Sequence, residues 1–166
     1  MSELLEQREG RVVLLTLNRP DRLNAIVPAM SQALREALGR IAANGTVGAV
    51  VLTGNGRGFC AGGDVQSMAG RTEVPLDERT RQLRQNAEVT RLLAEMPQVT
   101  ICAVNGVAAG AGLSYALACD MRVAAESARF TTAFLKMGLA SDLGCAFFLR
   151  RLVGTAKAKE LFLLGE

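Results

Sequence analysis

Three stretches of this chain carry residue types that could do chemistry. The first, RGFCAGGDV from Arg57 to Val65, follows the apolar run Ala49 to Leu52 and sets four small residues, Cys60, Ala61, Gly62 and Gly63, before the acidic Asp64. Small side chains leave the backbone nearly bare and glycine permits unusual dihedrals, so such a turn presents N–H groups to a ligand. A helix starting behind it adds positive potential where an oxyanion or phosphate would sit. In the second, AVNGVAAGAGLSYALACD from Ala103 to Asp120, a strand pattern breaks at Asn105-Gly106 and resumes as a helix pattern after Gly110-Ala111-Gly112. Two strand-to-helix turns with exposed amides suggest a two-donor oxyanion hole. The third, FTTAFLKMGLASDLG, places the carboxylate of Asp142 just before the helical run Leu143 to Leu152. Read from the residues alone, Ser141-Asp142 is a helix start and Asp142 its N-cap.

The composition narrows the chemistry further. None of the 166 residues is histidine, which removes Ser-His-Asp and Cys-His nucleophile systems and every His-ligated metal site. Acid–base work falls mainly to Asp or Glu. A net charge of +3, with Lys and Arg scattered along the chain, shows no clustered nucleic-acid footprint and remains compatible with an anionic small molecule. Cys60, Cys102, Cys119 and Cys145 stand far apart in apolar surroundings, as buried thiols do, and not in a disulfide or metal-binding pattern. Met1 to Gly10 has neither the basic start nor the apolar core of a signal peptide, so a cytoplasmic location is expected.

The elements that must position these stretches alternate between strand and helix. Val12 to Leu17 is a strand ending at Asn18-Arg19-Pro20, and Arg22 lies in the polar loop beyond it. Met30, Leu34, Leu38 and Ile41 recur at helical spacing within a helix over 26–43, closed by Asn44-Gly45. Ala49 to Leu52 reads as a central strand covered on both faces. Asp64 reads as an N-cap of a helix over Val65-Gln66-Ser67-Met68. A polar loop from Gly70 to Asp77 precedes an amphipathic helix, Glu78 to Met96, with Leu83, Ala87, Thr90, Leu93 and Ala94 on its apolar side. Pro97 to Cys119 is uncharged, but Gln98, Asn105, Ser114 and its glycines make it a strand, turn and helix, with no membrane span. Met121 to Ala125 supplies a further strand. The pattern predicts one α/β layered domain over 1–166.

With Asn18-Arg19-Pro20, Leu23-Asn24-Ala25, both glycine-rich turns, Phe130, Gly138-Leu139 and Arg151-Leu152-Val153-Gly154 in order, the chain resembles the crotonase superfamily, the enoyl-CoA hydratase/isomerase family. The resemblance implies a right-handed spiral of repeated ββα units. It also implies an acyl-CoA substrate with no further cofactor or metal, and assembly as homotrimers or hexamers through a C-terminal helical segment. The sequence stops at Gly165-Glu166, so that segment is expected to be missing. Carried over by position, the oxyanion amides belong to Gly63 and Ala111. Arg22, Ala25, Ala61, Gly63, Asp64, Val65 and Gly110 are then the residues expected at the CoA and thioester sites.

The two glutamates that hydratases of this family use correspond here to Ser114 and Phe134, neither of which can act as a base. Phe134 is expected to exclude water from that side of the pocket. Asp142 is placed like the proton-moving aspartate of the epoxyphenylacetyl-CoA and Δ3,Δ2-enoyl-CoA isomerase branch. It is also placed like the aspartate of 4-chlorobenzoyl-CoA dehalogenases, whose tryptophan and histidine this chain lacks. The resemblance therefore implies an isomerase-type proton transfer with Asp142, Gly63 and Ala111 as catalytic groups. A hydratase or hydrolase in which Asp142 activates water, and a non-catalytic CoA-binding protein, remain as alternatives.

Overall fold

A computed structural model describes residues 2–65 and 74–165. Two strands, β1 (Leu4–Glu9) and β2 (Val12–Leu17), form an antiparallel hairpin, and β2 then pairs in parallel with β3 (Ala49–Gly54). With β5 (Val99–Val104) and β7 (Met121–Ala124) these make a five-stranded sheet in the order β1-β2-β3-β5-β7. A second, parallel sheet has the order β4-β6-β8, from Gly58–Cys60, Val107–Ala109 and Arg129–Thr131. Each of β3, β5 and β7 is thus followed by a short strand that crosses to the other sheet. The expected strand-to-helix turn after Leu52 is in fact a strand, a bend and a second strand, because Gly58–Cys60 pairs with β6 before the chain turns.

Four helices are described. Helix α1 (Pro28–Ala42) begins with proline, whose fixed φ and missing N–H suit a first turn. It buries Met30, Leu34, Leu38 and Ile41, as their spacing predicts, together with Ser31 and Ala37. At its end the Ala43 N–H donates to the Gly39 carbonyl and the Asn44 N–H to the Ile41 carbonyl at 2.9 Å, while the Asn44 side chain accepts from the Thr46 N–H. Helix α2 (Leu76–Glu95) follows its predicted face only in its C-terminal half, at Thr90 and Leu93. Val89, Thr90 and Leu93 are buried, whereas Leu83 is 52% exposed. Helix α3 (Ala111–Ala118) is buried along its whole length, which its all-round apolar or small composition allows. Helix α4 (Cys145–Leu164) is kinked at Gly154, where φ is 80°. No described helix is long and apolar enough to cross a membrane.

The main core joins the inner face of the large sheet to α1 and α3 through Leu15, Leu17, Leu34, Leu38, Leu52 and Tyr115. A second cluster packs α3 on α4 through Leu113, Leu117, Phe134, Cys145 and Leu149. Alternate burial along β3 and β5 shows that each central strand turns one face to the core and leaves the other half-covered. All four cysteines are free and buried.

Candidate active site

The two glycine-rich turns meet beside α3. A parallel bridge links Ile26 to Gly63 through the Ile26 N–H to Gly62 carbonyl bond (2.7 Å) and the Asp64 N–H to Ile26 carbonyl bond (3.0 Å). In this register the flanking atoms make the bonds, so the Gly63 N–H faces away from Ile26. The Ala111 N–H belongs to the first turn of α3, where amides have no intrahelical acceptor. Gly62 brings these turns together: its φ is +93°, and a Cβ there would lie 2.9 Å from the Ala109 carbonyl oxygen and 3.5 Å from the Ala111 nitrogen. Gly63 and Ala111 both line a cavity of about 90 Å³.

Asp142 lines the same cavity. Its carboxylate does not cap α4. The Ser141 hydroxyl accepts from the Ala146 N–H at 3.1 Å, while Asp142 contributes only its main-chain carbonyl, to the Cys145 N–H (3.0 Å) and the Ser114 hydroxyl (3.3 Å). Leu143 and Gly144 follow with φ of 45° and 76°, delaying the helix to Cys145 and swinging the Asp142 side chain toward the cavity. Its Oδ1 is buried with no hydrogen-bond partner among the described residues. Burial raises the Asp142 pKa above the ordinary carboxylate value, with its own backbone N–H acting in the opposite direction.

The remaining expected residues fall into two groups. Asp64 also lines the cavity, and its Oδ2 accepts from Arg19 Nη1 at 2.9 Å. That arginine was not among the expected site residues, and 45 positions of separation left no local signal for the pair. Arg22 ends a short 3₁₀ turn, Pro20–Arg22, and is exposed; its carbonyl accepts from the Ala25 N–H at 3.0 Å. Ala25 in turn accepts from Arg19 Nη1, and the Ala61 N–H bonds to the Leu23 carbonyl. Gly110 is the N-cap of α3, at φ 50°, and Val65 is exposed; residues 66–68 of the expected helix lie outside the described ones. Residues 70–73 of the expected loop at 70–77 also lie outside them, and its last two residues, Leu76 and Asp77, already belong to α2.

Phe134 does not form a wall of this cavity. It stacks on Phe162, with ring centroids 6.2 Å apart, inside the cluster between α3 and α4. Ser114 is wholly buried and shares its hydroxyl between the Gly110 and Asp142 carbonyls. Cys60 lies near the first turn, but burial pushes its thiol up to about 12, which leaves it protonated and inert. No cluster of metal-ligating side chains occurs among the described residues.

A spiral in which successive strands alternate between two sheets is the crotonase fold, and solved structures share it. An enoyl-CoA hydratase, provisionally so named, from Streptomyces coelicolor A3(2) superposes with a TM-score of 0.94 at 40% identity, covering 99% of this chain and 60% of that one. A similarly named protein from Thermobifida fusca YX, solved with acetoacetyl-CoA, gives 0.90 at 31% identity over 99% of this chain and 67% of that one. The sequence profile of the enoyl-CoA hydratase/isomerase family matches residues 7–166, and the chain belongs to that family. Among curated relatives, the 1,2-epoxyphenylacetyl-CoA isomerase of Escherichia coli strain K12 is 43% identical over 167 residues, which is 100% of this chain and 64% of the relative. The chain spans less than two thirds of the length of the first curated relatives it matches, 57% to 64%.

Proposed function

We propose that the chain acts on acyl-CoA thioesters and moves a proton between two carbons of the acyl group through a thioester enolate. The Asp142 carboxylate removes a proton from carbon next to or vinylogous to the carbonyl. The electron pair passes to the thioester oxygen, and the Gly63 and Ala111 N–H groups stabilise its charge. The proton then returns from Asp142 to the other carbon, so the double bond shifts with no change in mass. Loss of one oxyanion donor costs about 3 kcal/mol in comparable sites, which makes the paired amides a principal catalytic term.

The observation that carries this reading is the unpartnered, buried Oδ1 of Asp142 in the cavity lined by both amides. With Ser141 making the cap bond, the acidic side chain remains available to a substrate. Ser114 and Phe134, at the places the family resemblance gives to the hydratase glutamates, provide no second carboxylate. The relatives' names include both isomerase and hydratase, so the reaction itself must be measured. A 3-enoyl-CoA incubated with the protein in heavy water tests it. Appearance of the conjugated thioester with deuterium uptake, lost in Asp142→Asn, is the expected result. A product heavier by one water establishes hydration instead.

A further inference from the structure

Besides Asp142, a second buried polar group, on helix α1, lines the cavity. Ser31 is 2% exposed and lines the cavity, yet its hydroxyl has no hydrogen-bond partner among the described residues. Behind it the Tyr115 phenol, wholly buried on α3, is likewise unpartnered. The two are neighbours: burial raises the Tyr115 pKa, the Ser31 hydroxyl counteracts this and the Asp142 charge adds to it. Neither oxygen, however, meets hydrogen-bonding geometry with the other.

Three unsatisfied buried oxygens, Ser31 Oγ, Tyr115 Oη and Asp142 Oδ1, thus stand in or beside one small cavity. Buried polar groups carry a desolvation cost when unpaired, so such a group calls for a ligand. The donors and acceptor are complementary to one chemical group. Ser31, backed by Tyr115, can donate, while the ionised Asp142 can only accept. A hydroxyl, which accepts one bond and donates one, satisfies both walls at once. A methylene in the same place would leave every one of these oxygens unpaired.

We propose that Ser31, supported by Tyr115, is a specificity residue that binds a hydroxyl carried by the acyl chain beyond the thioester, so that the site prefers hydroxylated acyl groups. One carboxylate oxygen of Asp142 accepts from that hydroxyl, leaving the other for proton transfer. This rests on the acyl-CoA reading above but needs no turnover. Water shares the hydroxyl chemistry and is the competing occupant, which the affinity comparison below distinguishes.

The test is calorimetric binding of butyryl-CoA and of its 3-hydroxy and 4-hydroxy derivatives to the native chain, to Ser31→Ala and to Tyr115→Phe. At least one hydroxylated ester is expected to bind the native chain about ten-fold more tightly than butyryl-CoA, the worth of one well-made hydrogen bond. That ratio should collapse to about one in Ser31→Ala and fall by a smaller factor in Tyr115→Phe. A ratio near one in the native chain shows that the oxygens hold water alone and overturns the inference. A native preference that survives intact in Ser31→Ala also overturns it. Failure of all three esters to bind overturns the acyl-CoA reading as well, whereas equal binding of all three leaves that reading standing.

Discussion

The Ser114 hydroxyl donates to the main-chain carbonyl of Asp142 at 3.3 Å and is shared with the Gly110 carbonyl at the same distance. One buried side chain therefore ties the loop that carries the acidic residue to the turn that presents the Ala111 amide. In Ser114→Ala, the Asp142 carbonyl loses this tether and keeps only its bond from Cys145. A stability loss of about 1 kcal/mol is expected in urea denaturation. If that bond mainly fixes geometry, kcat for proton transfer falls by up to about ten-fold with KM little changed. An unaltered kcat beside the expected stability loss confines Ser114 to a packing role.

The raised pKa of Asp142 sets the direction of two pH effects. In the proposed proton transfer the base must be ionised, so the acid limb of its pH–rate profile should lie above the ordinary carboxylate value of 3.8 and disappear with Asp142→Asn. For stability the sign is opposite to that of an ion-paired aspartate. Between the unfolded and the raised native pKa the folded chain binds more protons, so Asp142 makes its most favourable contribution below that window and loses it as pH rises through the native pKa. Asp142→Asn should accordingly raise Tm relative to the native chain at neutral pH. The difference should close below pH 3.8. A neutral-pH Tm lower in the variant contradicts burial as the cause.

Much of this arrangement was legible in the sequence because it depends on spacing or on small residues. The apolar stripe of α1 was readable from four positions, and the two bare turns were readable from their small residues; Gly63 and Ala111, to which the family resemblance assigns the oxyanion amides, line one cavity. Other features depend on contacts between distant segments. The three-residue strand Gly58–Cys60 is too short to show alternation and exists only because β6 offers it a partner. Val89 is buried and Leu83 exposed because α1 and α3 fix the orientation of α2, which periodicity alone set differently. The residues alone made Asp142 the cap, whereas Ser141 accepts the cap bond, because the left-handed turn at Leu143 and Gly144 separates their roles. Ser31 did carry a signal: it is a polar residue three positions before Leu34 on the apolar face of α1.

Gly62 should be the least replaceable residue of the first turn. An alanine there must adopt φ near +93° and bring its Cβ to 2.9 Å from the Ala109 carbonyl oxygen, so the turn has to move away from β6. The left-handed backbone alone costs about 1–2 kcal/mol. Displacement of the adjacent Gly63 amide relative to Ala111 should lower the rate by about 100-fold, the scale of losing one oxyanion donor. Gly45→Ala is the control, since its φ is not positive and a Cβ there meets nothing within 4 Å. It should keep native stability and native rate. Equal behaviour of the two variants contradicts the role given to the Gly62 turn.

Asn24 fastens the loop before α1 to the first crossover between the sheets. Wholly buried, it accepts from the Arg19 N–H at 2.8 Å and donates to the carbonyls of Asn55 (3.0 Å) and Gly58 (2.8 Å). Its backbone is left-handed, with φ of 55°, a conformation that asparagine tolerates better than most residues. In Asn24→Ala the side-chain bonds disappear, buried backbone groups are left unpaired and the left-handed strain remains, so a loss of about 3 kcal/mol or more is expected. Asn24→Gly loses the same bonds but relieves the strain, and should be about 1 kcal/mol more stable than the alanine variant. Chemical denaturation of the pair separates the two contributions. If glycine and alanine are equally destabilising, the backbone strain is negligible and the side-chain bonds alone hold this loop. If neither variant loses stability, Asn24 does not join the loop to the β3–β4 crossover in solution.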